Sequence, residues 1–332
     1  MKRITILAIC TILVISICGA VSADEGKLTP ITFSLDWTPN TNHTGVYAAK
    51  ALGYYEEAGL DVQIVQPSEN GALLMCAAGQ AEFAVDAQDT MAASLDLEEP
   101  LGVTAVAAIL QHNTSGIISR AGDGITSAKG LENKIYSTWD IPVELEMIRY
   151  CMELEGADFN KVKLIPNNIT DEPAALTAHQ TDAVWIFYGW SGINAEVNDF
   201  DFDYWDFRSI SEELDYYTPV IIANNAFLEQ SPDIAKAFLD ATAKGYQYAI
   251  EHPEEAAEFL ISGDSTGSLE DARELVYASQ KWLSDQYIAD AEKWGVFDEN
   301  RWNQFYQWLY TNQLTAHDLT GIGFTNEFLP GE

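Results

Sequence analysis

The sequence predicts an α/β protein of two lobes, each built on a doubly wound sheet, with a ligand cleft between them. Three observations lead there. Short apolar runs alternate with amphipathic helical stretches, the alternation restarts once near the middle of the chain, and one later apolar run is followed almost only by helical sequence.

Taken in order, "ITFSL" (31–35) reads as a buried strand, and a helix is expected from about Thr44 to Leu52. "LDVQIV" (60–65) is a second strand, "ALLMCAA" a helix closed by Gly79, and "EFAV" (82–85) a third strand. A helix from Thr90 and a strand "GVTAVAAIL" (102–110) complete the first unit. The pattern then begins again with "KIYST" (134–138), a helix from Pro142 to Glu155, "VKLIP" (162–166), a helix near Pro173 to Ala178, and "DAVWIFY" (182–188). "TPVIIA" (218–223) is a lone strand, and Ala226 through Tyr310 reads as helix. A lone strand followed by helices means that the chain returns to the first lobe, with crossovers near Gln111–Ile118 and Tyr216–Ile222. The expected organisation is a leader over residues 1–23, lobe one over 24–115 and 219–332, and lobe two over 116–218. No Pro/Gly/Ser-rich linker separates the lobes, so two chain crossings should act as a hinge.

The start of the chain sets the expected compartment. Lys2 and Arg3 precede an uncharged run from Ile4 to Ala23 that ends in "AVSA", the pattern of an export signal cut after Ala23 or kept as an anchor. Lipidation at Cys18 is disfavoured by Ile17 before it, where a small residue is usual. The protein is therefore expected outside the cytoplasm. A formal net charge of −34 opposes binding to phosphate backbones, so no nucleic-acid partner is expected. Cys10 and Cys18 fall in the leader; Cys76 and Cys151 sit on apolar helical faces and read as buried free thiols without metal-ligand spacing.

One connection carries more chemistry than its geometry demands. Between strand and helix, Pro39 with Asn42 or Thr44 already supplies a turn former and an N-cap. "SLDWTPNTNHTGVYAAK" nevertheless adds Asp36, Trp37, Asn40, His43 and Tyr47. In open α/β sheets ligands sit beyond the carboxyl ends of strands. Other strand ends there carry Gln88 in "DAQDT", Gln111 and Asn113 in "QHNTS", Trp139 in "TWD", and Trp185, Tyr188 and Glu196 in "WIFYGWSGINAE". Each has a plainer reading. Trp37, Trp139, Trp185 and Trp190 suit a core, Asp36 and Asn40 suit caps or Asx turns, His43 suits a satisfied loop, and Glu196 suits a solvated helix. Their convergence on one edge marks a ligand cleft.

Five blocks carry a resemblance: "LDWTPNTNHTGVYAAKALGYYEEAGLDVQIVQP", "AAGQAEFAVDAQDT", "VTAVAAILQHNTSGIISR", "DAVWIFYGWSGINAEV" and "DYYTPVIIANN". Together, from about Ile31 to Leu329, the chain closely resembles the solute-binding proteins of ABC importers for thiamine pyrimidine precursors. The resemblance implies a periplasmic-binding-protein fold of the type with two crossovers, closing as a monomer over an aminopyrimidine and handing it to an ABC permease in the membrane. It implies that Trp37 stacks on the ring with Tyr188, or Trp185 in its place. Glu196 or Asp36 would accept from the exocyclic amine, and Asn40, Gln88, Gln111 or Asn113 would serve the remaining polar atoms. Only Lys50 and Arg120 are basic in these blocks, which disfavours nitrate, sulfonate or taurine as cargo. Riboflavin or another planar solute is the alternative ligand. Related fungal enzymes form the pyrimidine from pyridoxal phosphate and an active-site histidine, with iron near a cysteine cluster. This sequence has no such cluster, so no catalytic residue, cofactor or metal is expected.

Overall fold

The computed structural model describes residues 27–331; the expected leader lies outside the described residues. The chain runs β1 (Thr29–Ser34), α1 (Thr44–Ala51), α2 (Tyr54–Glu57), β2 (Leu60–Val65), α3 (Ala72–Ala77), β3 (Phe83–Asp86), α4 (Gln88–Leu95) and β4 (Val103–Ala108). It continues through β5 (Ser115–Arg120), β6 (Ile135–Thr138), α5 (Pro142–Leu154), β7 (Lys163–Pro166), α6 (Glu172–Thr177), β8 (Ala183–Phe187), α7 (Ile193–Val197) and β9 (Phe202–Asp206). The last part is β10 (Val220–Asn224), α8 (Asn225–Gln230), α9 (Pro232–Glu251), α10 (Pro253–Gly263), α11 (Arg273–Ser284) and α12 (Glu299–Thr311).

Two five-stranded sheets form, with orders β2-β1-β3-β10-β4 and β7-β6-β8-β5-β9. In the first, β1 is parallel to β2 and β3, while β10 runs antiparallel to β3 and β4. The second repeats the scheme, with β6 parallel to β7 and β8, and β5 antiparallel to β8 and β9. In each sheet the antiparallel strand is the one laid down as the chain arrives from the other sheet. Two crossings therefore join the lobes, between β4 and β5 and between β9 and β10. The fold is that of a two-lobed α/β binding protein with two crossovers.

Burial explains the order. β3 is buried over its first three residues and β10 over its first four, which suits the interior places they hold in sheet one. α9 opens on Pro232 and buries Ala235, Phe238, Leu239, Thr242, Tyr246 and Ala249 along one face. Phe238 stacks on Phe83 at 4.0 Å and on Tyr55 at 5.3 Å, joining helix and sheet. α1 crosses α9 at a small-residue contact: a Cβ on Gly245 would lie 2.0 Å from the Gly45 carbonyl oxygen. A second core cluster runs from Trp302 and Phe305 of lobe one, through Tyr216 and Tyr217 of the second crossing, to Ile117, Tyr136 and Trp185 of lobe two.

The structure corrects the sequence reading at two strands. Gln111–Ile118 is only partly a crossover, because Ser115 onward is β5, and 202–206 forms the edge strand β9. β5 opens on Ser-Gly, and β9 is the acidic "FDYWD", so neither shows the unbroken apolar run that marks the other strands.

Candidate functional site

The loop after β1 is held from several sides. Asn40 caps a short 3₁₀ turn over Thr41–His43, its side chain accepting from the Asn42 amide at 3.0 Å. The Asn40 amide donates to His43 Nδ1 at 3.1 Å, so the ring hydrogen is on Nε2, which donates to Asp36 Oδ1 at 2.8 Å. Tyr246 Oη donates to the Asn42 carbonyl at 2.6 Å, and Tyr287 Oη to that of Thr41 at 2.5 Å. Loop residues built this rigidly hold Trp37 54% exposed at the surface.

Across the cleft, β8 ends at Phe187 and passes into a single π-helical turn, Tyr188–Gly192. Gly189 lets this turn approach α11 closely: a Cβ there would meet Leu283 Cδ2 at 2.9 Å. Side-chain alternation along β8 sends Trp185 and Phe187 to one face and Ile186 to the other.

A cavity of about 250 Å³ lies between these elements, lined by Asp36, Trp37, Asn40 and Asn42 from lobe one, Phe187, Trp190 and Ser191 from lobe two, and Thr218 and Pro219 from the second crossing. Its aromatic walls come from both lobes, and no Lys or Arg lines it. Behind the lobe-two wall, Ser191 Oγ donates to Glu172 Oε1 at 3.0 Å, and burial raises that carboxyl, with Asp171 adding to the effect. A wider groove of about 1070 Å³ runs between α12, with Asn303, Gln304 and Gln307, and lobe two, with Tyr150, Ile210 and Glu213.

Of the residues singled out by sequence, Asp36, Trp37 and Asn40 line the cavity. His43 is buried, with both ring nitrogens engaged, and positions Asp36. The others are turned elsewhere. Tyr47 is packed in the lobe-one core, and its hydroxyl is pushed up to about 12 by burial and then by Asp264. Gln88 is fully buried, donating to the Trp302 carbonyl at 2.8 Å and accepting from the Tyr217 amide at 3.0 Å. Gln111 donates to the Val296 carbonyl at 3.1 Å, and Asn113 to that of Leu214 at 2.9 Å. These three amides fasten the crossings, because a buried backbone group needs a partner as much as a ligand does.

Trp185 is buried against Phe207, with Trp139 packed 5.6 Å from it on the outside and 40% exposed. Tyr188 donates to Glu196 and packs on Tyr204 and Trp282 at 4.9 and 5.3 Å. It lines a separate hollow with Thr114, Asp206 and Arg208, not the cavity beside Trp37. The sequence reading missed Phe187, Ser191, Asn42, Thr218 and Pro219, and left Trp190 to the core. The available signal was the alternation Trp185, Phe187 leading out of the sheet.

The family model described as NMT1/THI5 like matches residues 40–256. A formylaminopyrimidine-binding protein of Halalkalibacterium halodurans is 27% identical over 306 residues, covering 90% of this chain and 88% of that protein. The 4-amino-5-hydroxymethyl-2-methylpyrimidine phosphate synthase THI11 of Saccharomyces cerevisiae is 25% identical over 238 residues, 68% of each chain. Among solved structures, a putative periplasmic sulfonate-binding protein, SsuA, from Methylobacillus flagellatus KT superimposes with a TM-score of 0.63 at 17% identity, covering 91% of this chain and 93% of that one. That last likeness concerns the fold alone.

Proposed function

Because the chain belongs to the NMT1/THI5-like family, we propose that it is an extracytoplasmic solute-binding protein that takes up an aminopyrimidine precursor of thiamine and delivers it to an ABC permease. The observation that carries this reading is the cavity between the lobes, with Trp37 on one side, Phe187 and Trp190 on the other, and no cationic side chain in its lining. A flat, near-neutral heterocycle suits such walls, each aromatic contact adding about 0.5–1.5 kcal/mol beyond buried area. An anionic sulfonate would enter beside Asp36 without a counter-charge.

Binding rather than synthesis fits the reactive groups. Cys76 and Cys151 are free and buried, in separate lobes, and burial raises both thiols above their ordinary range. His43 has both nitrogens bound within the loop. In this reading the protein acts as a monomer, and closure of the lobes presents the filled cleft to the permease.

A ligand that prefers the folded state stabilises it by about 2.7 kcal/mol at one hundred times its dissociation constant. Formylaminopyrimidine or hydroxymethylaminopyrimidine should raise the melting temperature, whereas taurine, nitrate and riboflavin should leave it unchanged. A shift with taurine alone would overturn the reading. Recovery of the pyrimidine unchanged after incubation, and no new pyrimidine from pyridoxal phosphate and iron, separates the carrier from a synthase.

A further inference from the structure

Tyr188 lines a hollow of about 350 Å³ at the hinge, together with Thr114, Tyr204, Asp206, Arg208 and Trp282. Its walls come from both lobes. Trp282 lies on α11, Tyr188 opens the π-helical turn after β8, Tyr204 and Asp206 belong to β9, and Arg208 follows β9 at the start of the second crossing. The Tyr188 ring lies 4.9 Å from that of Tyr204 and 5.3 Å from that of Trp282, tilted by 56° and 42°, so three half-buried aromatic rings meet in one hollow. Both phenols are tied down: Tyr188 donates to Glu196, and Tyr204 Oη donates to the Thr114 carbonyl at 3.0 Å. With their hydroxyls spent, the rings offer π surface to an occupant.

Arg208 stands apart from the other arginines. Arg120, Arg149, Arg273 and Arg301 each pair with a carboxylate, whereas Arg208 has no ion-pair or hydrogen-bond partner among the described residues. In a chain with 51 acidic and 17 basic residues, a guanidinium that lines a hollow and is left unpaired is a place for a carboxylate supplied from outside.

We propose that this hollow is a second ligand site, taking a small betaine-type zwitterion, its quaternary ammonium over the rings of Tyr188, Tyr204 and Trp282 and its carboxylate on Arg208. The charges select that class. A bare anion would meet the net charge of −34 and Asp206 in the same lining, and a bare cation would leave Arg208 unanswered. A zwitterion serves both ends. A primary ammonium would need acceptors for three N–H groups. The Thr114 carbonyl, however, already accepts from the Tyr188 amide and the Tyr204 hydroxyl, and Asp206 Oδ1 accepts from the Ser209 amide at 2.8 Å. A methylated ammonium needs only ring faces and the nearby Asp206 charge. The hollow shares no lining residue with the cavity beside Trp37.

The test is a calorimetric titration of glycine betaine into the whole protein, beside glycine and tert-butylacetate, which has carbon in place of the quaternary nitrogen. Glycine betaine should bind at one site, and each of the other two should bind at least about tenfold more weakly. Arg208→Gln and Trp282→Leu should each weaken glycine betaine by about tenfold or more, and Arg208→Gln should bind formylaminopyrimidine as wild type does. Circular dichroism checks the fold of both; if Trp282→Leu does not fold, Arg208→Gln and the uncharged isostere still decide. No binding of glycine betaine at up to about 10 mM would overturn the inference. So would equal affinity for tert-butylacetate, since the rings would then be only an apolar wall, or equal affinity for glycine, which would make this an amino-acid site. Wild-type affinity for glycine betaine in both variants, with loss in Trp37→Ala, would put it in the other cavity and overturn the inference as well. None of these outcomes depends on which solute the cavity beside Trp37 binds.

Discussion

At the scale of single residues, the same side-chain chemistry serves ligand and scaffold, and burial decides between them. Gln88, Gln111 and Asn113 have the donors and acceptors a pyrimidine needs, yet each is spent on backbone groups in or against the crossings. Gln88→Ala should therefore cost about 1–3 kcal/mol of stability by leaving the buried Tyr217 amide unpaired, measured by urea denaturation, and a variant as stable as wild type would contradict that assignment. Asp36, Trp37 and Asn40 were legible because a short connection held more large polar groups than a turn requires. Phe187 was not, since an apolar residue at the end of an apolar strand gives no sign of its 38% exposure. Asp86, at the end of β3, offers a further test in stability. Its carboxyl is raised in the fold to about 7 from 3.8, so its contribution is full below about pH 4 and lost as pH rises through 7. Asp86→Asn should remove that loss, making the protein more stable than wild type by about 1–3 kcal/mol at pH 8 and little different at pH 4. Thermal unfolding at the two values checks it, and a variant less stable than wild type at pH 8 would contradict a carboxyl raised by burial.

At the scale of elements, the sequence announces strands whose apolar residues run on or alternate regularly, and hides those that glycine or acidic residues interrupt. β1, β3, β4 and β10 stand out as apolar runs, whereas β9 interleaves Asp203 and Asp206 with aromatics because it is an edge. The π-helical turn after β8 was also illegible. Its single extra residue per turn depends on the packing of Gly189 against α11, a contact far away in sequence. The α1–α9 crossing is the most demanding helix contact, because both sides approach through glycine. Gly245→Ala would drive a methyl group into the Gly45 carbonyl and Ala49, so α1 must shift and carry the loop behind Trp37 with it. The expected cost is about 1–3 kcal/mol or more, read by chemical denaturation together with weaker pyrimidine binding. Unchanged stability would mean that the helices yield more easily than their packing implies.

At the scale of the whole molecule, two sheets of the same pattern exchange one strand connection each, and the cleft lies where those connections meet the strand ends. The crossings are tied together on the outside as well. His112 of the first crossing bonds Asp215 of the second at 2.6 Å and Asp290 at 3.0 Å, and Arg301 of α12 lies 3.6 and 3.5 Å from the same two carboxylates. Burial works against the Asp290 charge, but His112 and Arg301 together hold that carboxyl below its usual range. None of these four residues lines the cavity, where Trp37 and Phe187 remain exposed. The most direct test of the account is a calorimetric titration of formylaminopyrimidine into wild type, Trp37→Ala, Phe187→Ala and the double variant, with circular dichroism of each. One site should be seen in wild type, each single change should weaken binding by about 1–3 kcal/mol without unfolding the chain, and the two effects should couple because both rings contact one ligand across the cleft. Wild-type affinity in both single variants would contradict a ligand held between the lobes at this cavity.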